Sequence, residues 1–101
     1  MHIICIHREM KITWNLVKAK TNRLKHRVLF SEIEPVFYDP NAICIEDADS
    51  DNEARFVVIG IDSLGRVVVV VYTYRDHVIR LISARKASSS ERKTYEKGIR
   101  L

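Results

Sequence analysis

The sequence holds only two cysteines, no apolar run long enough to cross a bilayer, no internal repeat, and no Lys or Arg between residues 31 and 54. Cys5 and Cys44 sit in separate apolar runs without Cys-x-x-Cys spacing. This argues against a zinc site or a disulfide scaffold and for two buried small apolar residues. A membrane span needs roughly 18 apolar residues, and residues 1–7 are too short even for a signal h-region. The expected compartment is therefore a reducing cytoplasm, with no membrane partner. With no low-complexity tract or linker, one compact domain over residues 1–101 is expected, residues 1–10 forming an N-terminal extension that could add an edge strand.

The gap in basic charge is part of a wider segregation. Residues 1–30 carry seven Lys or Arg against one acid, residues 31–54 carry eight acids, and residues 55–101 carry ten Lys or Arg against four acids. The net charge is +4 and the sequence pI about 9.3. A basic surface broken by an acidic loop suits a polyanionic partner such as nucleic acid, because clustered cations gain from displacing phosphate counterions. The competing reading is a merely soluble basic protein.

What the chain does have is a run of strand-like segments from Arg55 to Arg85, centred on the five valines Val67 to Val71 and continued by Tyr72-Thr73-Tyr74. β-Branched and aromatic residues fit a pleated surface, and a continuous apolar run implies a central strand covered on both faces. Asp62-Ser63-Leu64-Gly65 and Arg75-Asp76 supply the turns. The result is a three-stranded antiparallel meander.

Before it, Met10 to Trp14 reads as a strand leading into an amphipathic helix that ends near His26. Asn15 is its N-cap, and Leu16, Val17 and Leu24 share the apolar side. Ser31 and Glu34 have capping-box spacing for a short second helix that includes Val36 and Phe37, against which Pro35 counts. Asp39-Pro40-Asn41 is a stop, and Ala42 to Ile45 a short strand. The acidic segment Glu46 to Glu53 resembles a calcium loop, but Asn52 stands where the turn glycine should be and Val58 where the closing glutamate should be. A solvated loop is expected instead, with no metal and no cofactor. Ser88 and Glu91 form a capping box for a terminal helix, Glu91 to Lys97, stopped by Gly98.

Four places hold polar residues that the fold does not need: Lys25 with His26, Glu53 with Arg55, Arg80 with Arg85, and Tyr95. Metal-free RNA cleavage needs a base for the ribose 2′-hydroxyl, cations for the phosphate and an acid for the leaving oxygen. Histidine can serve as base or acid, and arginine forks onto phosphate oxygens. Structural readings compete at each place. Lys25 and His26 suit a helix C-terminus, Glu53 and Arg55 suit a surface ion pair, and Tyr95 suits a lid on the core. Arg80 shares strand parity with Val78, Ile82 and Ala84, so a partner or a bound phosphate is expected for it. Arg80 and Arg85, five apart, point to opposite faces of a regular strand. Both reach one phosphate only if the strand bulges or ends near Ser83-Ala84.

The ordered combination Trp14-x3-Lys18-x3-Asn22-x2-Lys25-His26-x3-Phe30, Val36-Phe37-x-Asp39-Pro40, Glu53-x-Arg55, Gly60, Val69-Val70-Val71-Tyr72-Thr73, Arg80-Leu81-Ile82-Ser83-Ala84-Arg85-x-Ala87 and Glu91-Arg92-x2-Tyr95 resembles the BrnT family of bacterial type II toxins, from about Lys11 to Lys97. The resemblance implies an α+β, RelE-like fold, with N-terminal helices and a short C-terminal helix packed on a mainly antiparallel sheet of 4–5 strands. It implies an endoribonuclease neutralised by a BrnA-type antitoxin. The antitoxin's ribbon-helix-helix element would bring operator DNA only to the complex. Carried over by position, the motif residues are Lys25, His26, Glu53, Arg55, Arg80, Arg85 and Tyr95. Arg80 and Arg85 would stabilise phosphate with Lys25 as a further cation, His26 or Glu53 would be the base, and Tyr95 the acid. The alternative is a non-catalytic module that binds nucleic acid or antitoxin. Two departures stand out: Asn15 replaces the family's usual aspartate, and Arg27 its usual glycine, so either Arg27 is strained or the helix ends differently.

Overall fold

The computed structural model describes residues 11–47 and 54–99. The expected N-terminal edge strand, most of the acidic loop and Glu53 lie outside them. β1 (Lys11–Thr13) leads into α1 (Leu16–His26), two 3-10 turns follow (Phe30–Glu32 and Glu34–Tyr38), then β2 (Ile43–Asp47), β3 (Arg55–Ile61), β4 (Val67–Arg75), β5 (Val78–Lys86) and α2 (Ser89–Ile99). The five strands form one sheet in the order β1-β5-β4-β3-β2. β1 pairs parallel with β5, and every other pairing is antiparallel. The valine run is the middle strand, as its two-sided apolar character requires, and Val68, Val69 and Val70 are all buried.

The turns follow from local chemistry. Asp62 Oδ1 accepts from the N–H groups of Leu64 and Arg66, and Gly65 takes φ +78°, where a side chain would be strained. At the β4–β5 turn the positive-φ pair is Asp76-His77, which suits the tight turn of a twisted hairpin and lies one residue further along than the sequence suggests. Asn15 caps α1 by accepting from Val17 and Lys18 N–H at 2.8 and 3.1 Å. Ser88 and Glu91 form the expected reciprocal cap of α2, which runs on through Gly98 to Ile99.

Three expectations are corrected. The second helix is replaced by the two 3-10 turns, with Pro35 at the start of the second, where a missing donor is tolerated but an α-helix is not extended. The apolar side of α1 faces water: Leu16 is 80%, Val17 73% and Leu24 68% exposed, while Asn22 is the buried residue. The core over the sheet comes instead from the connection after α1, where Val28, Phe30, Ile33 and Val36 pack on Val68, Val70, Tyr72, Ile79, Leu81 and Ala84. Cys44 is buried as expected but is disulfide-bonded, its partner lying outside the described residues. Its sulfur lies 3.4 Å from the Tyr72 hydroxyl.

The turn at Asp39 closes the core from the β3 side. A Cβ at Gly60 would meet Val36 Cγ1 at 3.0 Å and Asp39 Oδ2 at 3.3 Å, so this approach depends on glycine. Asp39 Oδ1 accepts from Asn41 N–H at 2.8 Å, and Oδ2 accepts from Ile61 N–H at 3.0 Å.

Candidate functional site

Between Leu81, paired with Tyr72, and Ser83, paired with Val71, Ile82 has no partner: β5 bulges there. The extra residue reverses strand parity, so Leu81 and Ala84 both face the core while Arg80, Ser83 and Arg85 share the opposite face. The required irregularity thus exists, at Ile82 rather than at Ser83-Ala84. It also corrects the premise drawn from parity for Arg80. Ala84 does not share its face, and Arg80 is exposed rather than buried.

α1 runs along the edge of β5 beside this bulge. The Asn22 side chain satisfies the edge of β5 beyond the reach of β1: Nδ2 donates to Ala84 O at 2.8 Å and to Val28 O at 3.0 Å, and Oδ1 accepts from Ala84 N–H at 3.0 Å. Three and four residues on, Lys25 and His26 end the helix and line a cleft with Ile82 and Ser83. The helix stops because Arg27 adopts the left-handed conformation, φ 59° and ψ 31°, and its N–H bonds Arg23 O. Of the two outcomes open in the sequence, the strained one is realised. Arg66 braces it. The guanidinium donates to Asp62 Oδ2 at 2.9 Å, to Glu32 Oε1 at 3.2 Å and to Arg27 O at 3.3 Å.

Register places Arg55 opposite Thr73, and Thr73 opposite Arg80. The two arginines therefore flank one threonine on one face, about 10 Å apart at the backbone from two strand spacings. Arg85 lies further along that face, opposite Val69. Its guanidinium grips Glu91 with two 2.8 Å bonds, which holds the Glu91 carboxyl down at about 2, with the Ser88 N–H as the next cause. Among the described residues, Lys25, His26, Arg55 and Arg80 have no ion pair.

Tyr95 stands apart. It is 3% exposed, and its hydroxyl donates to Asp39 Oδ2 at 2.6 Å. Burial first, and then Asp39, push its pKa up. The structure therefore sets Lys25 and His26 beside the bulge at Ile82 and Ser83, places Arg80 and Arg85 on the Ser83 face of β5 on either side of it with Arg55 two strands away, and uses Tyr95 to fasten α2 to the Asp39 turn. Asn22, Arg66 and Ser83 were missed as parts of the site. A polar residue on the buried side of a helix and the Asp62-x-x-x-Arg66 spacing are the only signals that hint at the first two.

The chain's residues 14–91 match the family model described as "Ribonuclease toxin, BrnT, of type II toxin-antitoxin system". No curated protein matches the chain. The crystal structure of the Brucella abortus ribonuclease toxin BrnT, solved at 1.1 Å, is 26% identical to it. The two agree with a TM-score of 0.65 over 79% of this chain and 99% of the Brucella chain. The α+β architecture, the mixed five-stranded sheet and the motifs on it have one source: the chain belongs to the BrnT family of ribonuclease toxins of type II toxin–antitoxin systems.

Proposed function

We propose that this toxin cleaves single-stranded RNA without a metal ion, by attack of a ribose 2′-hydroxyl on the adjacent phosphorus, and that the bulged segment of β5 with the end of α1 is its active site. The observation that carries the proposal is the bulge at Ile82, which turns Arg80, Ser83 and Arg85 to one face of β5, with Ser83 sharing a cleft with Lys25 and His26. His26 takes the 2′-hydroxyl proton as the new 2′-oxygen–phosphorus bond forms. Glu53 is the other candidate for that role. The phosphorus–5′-oxygen bond breaks, and the 5′ oxygen takes a proton from the imidazolium or from water. A 2′,3′-cyclic phosphate and a 5′-hydroxyl remain.

Arg80, Arg85 and Lys25 hold the phosphate oxygens as negative charge accumulates on them, where a preorganised cation is worth most. Arg55 extends this cationic row along the bound strand. Single-stranded substrate is favoured because its backbone can adopt the in-line geometry of 2′-hydroxyl attack. Tyr95, whose hydroxyl donates a hydrogen bond to Asp39, supports the site by anchoring α2 rather than by acting as the acid. The toxin acts in the cytoplasm and is silenced by a BrnA-type antitoxin, whose ribbon-helix-helix element gives the complex its hold on operator DNA.

Incubating antitoxin-free protein with single-stranded RNA in EDTA tests the reaction. Fragments ending in cyclic phosphate are expected. A salt-sensitive complex with intact RNA would mean that the chain only binds.

A further inference from the structure

The cleft between α1 and the β5 bulge has features that phosphate chemistry alone does not call for. Its lining includes Val17, Thr21, Lys25, His26, Ile82 and Ser83, and its volume is about 280 Å³. Val17 is 73% exposed on a helix otherwise rich in cations, and Ile82 is the residue the bulge ejects from strand pairing. Two apolar side chains on opposite walls, one from the helix and one from the strand, suit a flat ring inserted between them. Extruded bases are held in pockets walled by aromatic or apolar side chains, and here both walls are aliphatic. The volume lies just under the range typical of pockets for drug-sized ligands, so it suits one base rather than a folded helix.

The polar lining narrows the choice of base. Lys18 and Lys25 are donors only. Thr21 and Ser83 bring hydroxyls that have no hydrogen-bond partner among the described residues and can donate or accept, so the two ammonium groups set the preference. An edge rich in acceptors meets this set well: O6 and N7 of guanine, or O4 of uracil. Adenine and cytosine would present an amino group to an ammonium.

We propose that this cleft is a nucleobase subsite that selects a carbonyl-bearing base, guanine or uracil, in the nucleotide next to the cleaved phosphate. The inference rests on the ribonuclease reading above, because Lys25, His26 and Ser83 belong to both the cleft and the proposed cleavage centre. Asn22 supports it mechanically. By bonding Ala84 from α1, it fixes the gap between the Val17 and Ile82 walls.

The test compares kcat/KM on four oligoribonucleotides that differ only in one base flanking the cleaved linkage, in a set for each side. The parent protein is measured beside Val17→Asn and Thr21→Val, two exposed positions where substitution leaves the core intact. On one side the parent prefers guanine or uracil by about tenfold or more, and both variants narrow that ratio to about threefold or less. Equal rates for all four bases in the parent, or variants that slow all four alike, overturn the subsite while leaving the ribonuclease reading in place. No fragments from any oligonucleotide with the parent protein overturn the ribonuclease reading and the subsite together.

Discussion

Asn22 and Ala84, 62 residues apart in sequence, bond each other twice: the side-chain amide of one takes both the N–H and the C=O of the other, at 3.0 and 2.8 Å. This peptide-like pairing lets β5 carry an unpaired residue at Ile82 without leaving buried backbone groups unmet. Asn22→Ala strands those two groups and the Val28 carbonyl in a buried place. A loss of about 2–4 kcal/mol in urea unfolding is expected. A change below about 0.5 kcal/mol, the size of an ordinary surface substitution, would contradict this account of the edge.

Arg27 sits in left-handed space as a non-glycine residue, held there by Arg66 on its carbonyl. Arg27→Gly keeps that carbonyl and removes the steric cost of the Cβ. It should stabilise the protein by about 0.5–1 kcal/mol in the same assay, less whatever the freer glycine chain loses on folding. A destabilised variant would mean that the Arg27 side chain contributes more than its backbone costs.

Glu91 is held by Arg85 and the Ser88 N–H, with its pKa at about 2 against an ordinary 4.5. A depressed carboxylate contributes stability that is fully present above the unfolded pKa and is lost as pH falls toward the folded one. Stability should therefore drop between about pH 4.5 and pH 2, and Glu91→Gln should flatten that slope, as followed by thermal melts across the range. Identical slopes for parent and variant would show that the Arg85–Glu91 pair contributes nothing in solution.

Tyr95→Phe removes one hydrogen bond from Asp39 and leaves those from Ile61 N–H and Asn41 N–H in place. The expected cost is about 1.5–3 kcal/mol of stability, the range for a bond to a charged group. Cleavage per folded molecule should stay within about twofold, far short of the 10²–10⁴ that a lost general acid removes. A rate loss of that larger size would return Tyr95 to the chemistry.

The parts of this fold that were legible in the sequence are those governed by neighbours in the chain. The valine-rich meander, the Asn15 cap and the Ser88–Glu91 box all rest on contacts a few residues long. The orientation of α1 was not legible, because what draws Asn22 inward is a backbone bond to Ala84 on a distant strand. The 3-10 turns at Phe30–Tyr38 follow from the same difficulty: packing of Ile33 and Val36 under the sheet outweighs a helical pattern weakened by Pro35. Within the site, Lys25, His26, Arg80 and Arg85 could be named as residue types suited to phosphate chemistry. That Arg80 and Arg85 share a face depended on one extra residue at Ile82, which no local propensity announces.

The most direct measurement is the rate of RNA cleavage in EDTA by the parent protein and by Arg80→Ala, with product ends identified. Arg80 is exposed and free of ion pairs among the described residues, so its loss should leave the fold intact and strip a cation from the phosphate. The account predicts cyclic-phosphate ends from the parent and a rate at least about tenfold lower in the variant. Full activity in Arg80→Ala, or cleavage by the parent that EDTA abolishes, would contradict it.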